Sequence, residues 1–349
     1  MHLKRETKLV RLPGLIDVHA HLREPGATHK EDFVTGTEAA LRGGFTFVID
    51  MPNNPLPTVS LDRLEEKIRL ADAKAVCDIG FHYGTDGKNL ESFPRAAAHP
   101  RVFGLKVYAN HTTGDLLIED PAIWEQIFAA WESPKPILVH VEHERLAEMI
   151  GLARRFGRAV HVCHISRRDE VEMVRAAKAT GQAVSAGVCP HHLFFVDDQV
   201  TQDLAGYARM KPPLATQADQ DALWAGIGDR TIDLVETDHA PHTKAEKESA
   251  NPPFGVPGLE TAAMLLFKAQ AEGKLVIDDI QRLLHDNPQR LFGVPAQEET
   301  WVEFAVGVEE TIGAFGYASK AGWSPFTGWQ VPARVARVIL RGQEVFKMA

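Results

Sequence analysis

The sequence predicts an α/β fold, a (β/α)8 TIM-like barrel, with a small β-structure formed by the two chain ends. Three observations lead there. Short β-rich apolar runs alternate eight times with longer amphipathic ones. A chain of 349 residues is long for one ordinary domain but ordinary for a barrel with additions. The polar residues with chemical potential fall at the C-terminal ends of the predicted strands, the edge where this fold carries its chemistry.

The predicted barrel strands are about 15–21, 45–50, 77–83, 102–108, 136–141, 159–164, 183–188 and 231–237. Between them lie helical patterns. Residues 31–42 place Phe33, Ala40 and Leu41 among charges and stop at Gly43-Gly44, a C-cap signal. Residues 60–75 carry Leu61, Leu64, Ile68 and Ala71 at helical spacing. Residues 167–180 carry Val171, Val174 and Ala177, with Ser166 as N-cap and Gly181 as stop. After residue 300 the character changes: 302–306 and 334–340 read as strands, separated by a Gly-, Ser- and Pro-containing stretch at 313–332. Lys8-Leu9-Val10-Arg11 reads as a further short strand. The expected division is a barrel over 12–300 and a β subdomain from 1–11 plus 301–349.

Composition narrows the function. A hydrophobic fraction of 44% with 24% charged residues is that of a globular protein. A net charge of −9 argues against nucleic acid or a membrane surface as partner. No apolar run reaches membrane-span length, and Met1-His2-Leu3-Lys4-Arg5 lacks the apolar core of a signal peptide. Cys77, Cys163 and Cys189 make no disulfide framework, so the expected compartment is the cytoplasm.

The first predicted strand ends in Val18-His19-Ala20-His21-Leu22-Arg23. Residues two apart share a strand face, so His19 and His21 project together. Taken alone, the pair fits a metal site or a solvated strand end. Other strand ends supply Asn53, Lys106, His140, His164 and Asp238. Imidazole and carboxylate suit zinc and similar divalent cations. Lys106 is the odd member: a charged lysine in an apolar strand is costly to bury and a poor ligand. Either it snorkels into a salt bridge, or its neutral amine takes up CO2 and becomes a carbamate able to bridge two metals. Its company of histidines favours the carbamate.

With these residues placed, the sequence resembles the dihydroorotases of the amidohydrolase superfamily, and among them the dihydroorotase domain of the animal multifunctional pyrimidine-synthesis protein. The likeness runs through Leu12-Pro13-Gly14-Leu15-Ile16-Asp17-Val18-His19, His21-Leu22-Arg23-Glu24-Pro25-Gly26, Thr28-His29-Lys30-Glu31-Asp32-Phe33, Met51-Pro52-Asn53, Thr237-Asp238-His239-Ala240-Pro241-His242-Thr243, Pro257-Gly258-Leu259-Glu260 and Trp323-Ser324-Pro325-Phe326. It implies reversible cyclisation of N-carbamoyl-L-aspartate to L-dihydroorotate. It implies two Zn2+, one held by His19, His21 and Asp238, the other by His140 and His164, bridged by carboxylated Lys106 and a hydroxide. Asp238 becomes the general base and acid. Arg23, Asn53 and His242 hold the substrate, an arginine fork matching its α-carboxylate. Thr112 falls in a flap that closes on substrate, and Lys211 stands where the animal relatives have a substrate-binding arginine. A homodimer and association with aspartate transcarbamoylase also follow from the resemblance.

Three positions depart from the pattern. Lys211 offers a point charge in place of a fork, Thr113 replaces an aromatic flap residue, and Gly187 replaces a glutamate linked to an extra zinc. No extra site is therefore expected at Cys163, which reads as a packed core residue. His29, His99, His143 and His285 read as solvated or capping, and His161 as core or supporting; Trp124 and Trp131 read as core. Two rival functions remain: another cyclic amidase such as dihydropyrimidinase or allantoinase, and an inactive dihydroorotase-like scaffold subunit. Arg23 and His242 speak for an anionic substrate against the first, and the full ligand set against the second.

Overall fold

A computed structural model describes residues 7–348, so the N-terminal stretch read above for a signal peptide lies outside the described residues. Two sheets organise the chain. Eight parallel strands, β2 (Leu15–Ala20), β3 (Phe45–Asp50), β4 (Asp78–Gly84), β5 (Val102–Tyr108), β6 (Ile137–His140), β7 (Val160–Val162), β8 (Val184–Val188) and β9 (Leu234–Val235), pair in sequence order. A four-stranded antiparallel sheet, ordered β1-β10-β11-β12, joins β1 (Lys8–Pro13) to β10 (Trp301–Thr311), β11 (Gln330–Leu340) and β12 (Gln343–Lys347). Strands β3 and β5 match the predicted ranges. β9 spans two residues where seven were expected, because the chain beyond it turns into the barrel mouth.

The helices end where local chemistry ends them. Asp32 accepts the Thr35 N–H at 2.9 Å to start Phe33–Gly43, and Gly44, with φ 89°, closes it in a conformation that costs glycine little. Ser60 caps Leu61–Lys74 through the Arg63 N–H. The third expected cap shifts by one residue. Arg167, not Ser166, is the N-cap of Arg168–Ala179, because the buried Glu170 carboxylate accepts the N–H groups of both Ser166 and Arg167, at 3.0 and 3.1 Å.

Barrel closure is the step that positions the site. β9 and β2 meet through one parallel bridge, Ala20 to His239, with the His21 N–H on the His239 carbonyl at 2.7 Å. Below it the buried Asp17 carboxylate accepts the Thr237 N–H at 3.0 Å and its hydroxyl at 2.6 Å. One register irregularity falls between Asp17 and Ala20. It breaks strict alternation: Ile16 and Val18 join the interior cluster, and His19 also faces inward, against His164 across the barrel.

The chain-end sheet packs on helix Ala262–Ala271, with Phe304 4.8 Å from Phe267, and Glu303 pairs with both Arg11 and Arg337. The stretch at 313–332 does more than connect β10 to β11. It buries Trp323 and Phe326, and Trp323 Nε1 donates to the His242 carbonyl at 2.8 Å, so the tail props a residue of the barrel mouth.

Burial raises the Asp17 carboxyl to about 7, so the folded protein keeps a proton there that the unfolded chain releases near 4. Relative to D17N, wild-type metal-free protein therefore loses stability as pH rises from about 4 to about 7. D17A, which strips both Thr237 donors of their partner, costs about 1–3 kcal/mol per donor. Thermal midpoints across that pH range test both statements; parallel pH profiles for wild type and D17N would remove Asp17 from the seam.

Candidate metal centre

The strand ends converge as their positions in the sequence require. His19 Nε2 and His21 Nε2 both face Asp238 Oδ1, at 3.4 and 3.0 Å. On the opposite side His140 Nδ1 lies 3.0 Å from His164 Nε2. Lys106 rises between these groups from β5, buried, with Nζ 3.0 Å from Cys163 Sγ and 5.0 Å from the Tyr108 ring centre. Lys106 does not reach solvent, and among the described residues its Nζ bonds to the Cys163 sulfur and to no carboxylate. Backbone geometry aims two of these groups. His164 and Asp238 adopt φ of 38° and 43°, turning sharply off the ends of β7 and β9.

Electrostatics suit these groups to a cation. Burial pushes the His140 and His164 imidazoles well below their ordinary range and His21 to about 4, so all three are neutral, the form that ligates metals. His21 gives its Nδ1 proton to Asn53 Oδ1 at 2.7 Å. Its Nε2 lone pair then faces a carboxylate oxygen, two acceptors 3.0 Å apart, and a cation between them resolves the conflict. His140 Nε2 and His164 Nδ1 are buried without a hydrogen-bond partner. His19, His21 and Asp238 form one tight donor group and His19, Cys163 and His164 another. The donor chemistry fits divalent cations.

Four of the five predicted substrate contacts, Arg23, Asn53, Thr112 and Lys211, line one cleft with His21 and Asp238, while His242 is fully buried beside Arg23 and does not line it. Arg23 Nη2 lies 3.3 Å from His242 Nε2, and His242 Nδ1 accepts from Lys30 Nζ at 3.2 Å. Burial, with Arg23 and Lys30 beside it, holds His242 at about 2, and because Lys30 Nζ pairs with Glu246 Oε1 at 2.9 Å, the positive charge of this corner is that of Arg23. Asn53 is engaged on both sides: it holds His21 and donates through Nδ2 to the Thr113 carbonyl at 2.8 Å. Lys211 Nζ lies 3.8 Å from Glu142 Oε1.

Several supporting residues were not singled out from sequence. Lys30 was passed over in favour of its neighbours in the motif. The buried Lys67–Asp50 pair, 2.6 Å apart, also holds the Met51 carbonyl and Asn54, fixing the turn that presents Asn53. Glu31 reaches His239 Nε2 at 3.4 Å and so anchors the segment that closes the barrel. Cys163 is buried as expected, yet its sulfur accepts from Lys106 and sits in a second donor group with His161 and Glu236. Cys189, His191 and His192 form another buried cluster, three donors where closed structural sites use four. Of the histidines read as solvated or capping, His29 is exposed and His143 half-buried, His99 accepts the Arg101 N–H, and His285 is bound to the Gly14 carbonyl.

Comparison with known proteins places this geometry. A model described as the amidohydrolase family matches residues 10–198. The chain belongs to the amidohydrolase family. Dihydroorotase from Lactobacillus gasseri is 34% identical over 96% of this chain and 88% of its own length. The multifunctional protein CAD of Squalus acanthias is 42% identical over 97% of this chain, which spans only 15% of that protein's length. Among solved structures, L-hydantoinase (dihydropyrimidinase) from Arthrobacter aurescens superposes with a TM-score of 0.88 at 22% identity, covering 96% of this chain and 84% of that one, a likeness of fold. Amidohydrolase membership and the dihydroorotase relatives imply a binuclear metal centre in this chain.

Two cobalt equivalents are expected on titrating the metal-free protein, read by visible absorption, and one tight equivalent in H164N. A wild-type protein that takes up no cobalt would refute the convergence as a metal site.

Proposed function

We propose that this protein is a dihydroorotase that interconverts N-carbamoyl-L-aspartate and L-dihydroorotate in pyrimidine biosynthesis. One observation carries the reading: the buried guanidinium of Arg23 lines one cleft with His21, Asn53, Lys211 and Asp238, a fixed cation beside the groups that would hold a metal. A neutral cyclic amide offers such a cation a carbonyl but no opposite charge. Identity of 34% over 88% of a dihydroorotase supports the same substrate.

In this reading His19, His21 and Asp238 would hold one cation and His140 and His164 the other, with Lys106, once carboxylated, as a ligand shared between them. The nitrogen-rich donors favour Zn2+. Two such ions supply hydroxide near neutral pH and polarise the ring carbonyl. The chain's own residues do the rest. Arg23 grips the substrate carboxylate in a fork and sets the amide over Asp238. Asp238 takes the proton of the attacking hydroxide and delivers it to the leaving ring nitrogen, acting as base and then acid. Ring closure runs the same steps in reverse. Asn53 keeps His21 in the tautomer that presents Nε2, and its Nδ2 bond to Thr113 ties the Thr112-Thr113 loop to the mouth. Lys211 faces the same cleft as a second positive contact for substrate.

The same resemblance supports a cytoplasmic enzyme, a homodimer, and association with aspartate transcarbamoylase. Among the described residues no helix is long and apolar enough to cross a membrane.

Turnover of dihydroorotate against dihydrouracil and allantoin decides between this reading and the other cyclic amidases. Dihydroorotate is expected to be hydrolysed with the highest kcat/KM, and preference for a neutral ring would overturn the assignment. D238N is expected to lower kcat by roughly 100-fold or more. R23K is expected to raise KM by about 10- to 100-fold while moving kcat less. Chelation is expected to abolish activity and Zn2+ to restore it.

A further inference from the structure

We propose that Glu236 is the positioning residue of the metal centre, a single buried carboxylate that orients His19 on one side of it and His164 on the other. The proposal rests on the metal reading given above. Glu236 is fully buried, two residues before Asp238 and on the same face of the chain leaving β9. One of its oxygens, Oε2, lies 3.4 Å from His19 Nδ1 and 3.3 Å from His161 Nε2. The other, Oε1, accepts the backbone N–H of His164.

Each contact has a consequence for a ligand. The Glu236 carboxylate is the acceptor nearest to His19 Nδ1, which is buried without a formed hydrogen bond, so its charge favours a proton on that nitrogen and frees Nε2, 3.4 Å from Asp238 Oδ1, to ligate. The bond to His164 N–H holds a residue whose φ of 38° is costly for a side-chain-bearing residue, and that turn is what aims His164 at His140. His161 steadies the carboxylate from behind, its own Nδ1 held by Ser185 Oγ at 2.9 Å. Room for the carboxylate comes from the neighbouring strand. A Cβ at Gly187 would lie 2.6 Å from Glu236 Cδ, so glycine at 187 and glutamate at 236 are one device.

The test compares wild type with E236Q and G187A. The first keeps shape and removes charge; the second leaves Glu236 intact and displaces its carboxylate. Zn2+ affinity is read by competition with a chelator, stoichiometry by elemental analysis, and the thermal midpoint on metal-free protein. Both variants are expected to bind Zn2+ about 10- to 100-fold more weakly than wild type, with kcat lowered more than KM is raised. Should E236Q not accumulate as folded protein, E236D, which keeps the charge but withdraws it by one methylene, is read in the same way. Wild type holding two cations with both variants binding as tightly would overturn the proposal, as would a fall in metal-free stability with unchanged affinity. Wild type holding none would instead defeat the metal reading itself.

Discussion

The site depends on how the barrel is sealed. Seven of the eight junctions between neighbouring strands are made by parallel ladders, but β9 meets β2 through one bridge and the Asp17–Thr237 contact. That seam lies between the strand carrying His19 and His21 and the one leading to Asp238. Closing it brings Asp238 Oδ1 within 3.0 Å of His21 Nε2. Opening it by even one register step would carry the carboxylate to the other face of its strand. The polar groups at the seam are buried because a water-filled seam would compete for the same hydrogen bonds.

Gathering histidines, carboxylates and a lysine in a dry interior is costly unless each group is paired or neutral. The protein meets this group by group. His21, His140 and His164 are neutral through burial. Asp50 is matched by Lys67, and Glu31 by His239 and Ser319. Asp238 and Glu236 lean on the histidines they face. Lys106 stands apart, buried without an anion of its own, and a carbamate there would turn an unpaired cation into a ligand.

Much of this was legible in the sequence because it is local. A strand's period of two places His19 with His21, and the apolar run before each polar residue marks a strand end. Other features depend on distance or on exceptions to the period. The irregularity after Asp17 leaves no trace in composition, yet it puts Ile16 and His19 on the same side. Glu236 looked like one more strand residue; only its parity with Asp238 hinted that it faces inward. Trp323 was visible as part of a motif, but its grip on the His242 carbonyl spans 81 residues of separation. Lys30 sits in a motif whose other members drew attention, and its contact with His242 also comes from far along the chain.

The fold alone leaves the substrate open, since a hydantoinase superposes on this chain with a TM-score of 0.88. What separates one cyclic amide from another is the charge that surrounds it beyond the reacting bond. Arg23 is buried, and among the described residues its guanidinium has only the Pro241 carbonyl and the neutral His242 ring within hydrogen-bonding distance. Asp238, Asp50 and Glu246 act on it without forming an ion pair, so part of its desolvation cost still stands. A substrate carboxylate removes that cost as it binds, while a neutral ring leaves it standing. Discrimination therefore comes as much from what the empty corner lacks as from what the filled one gains.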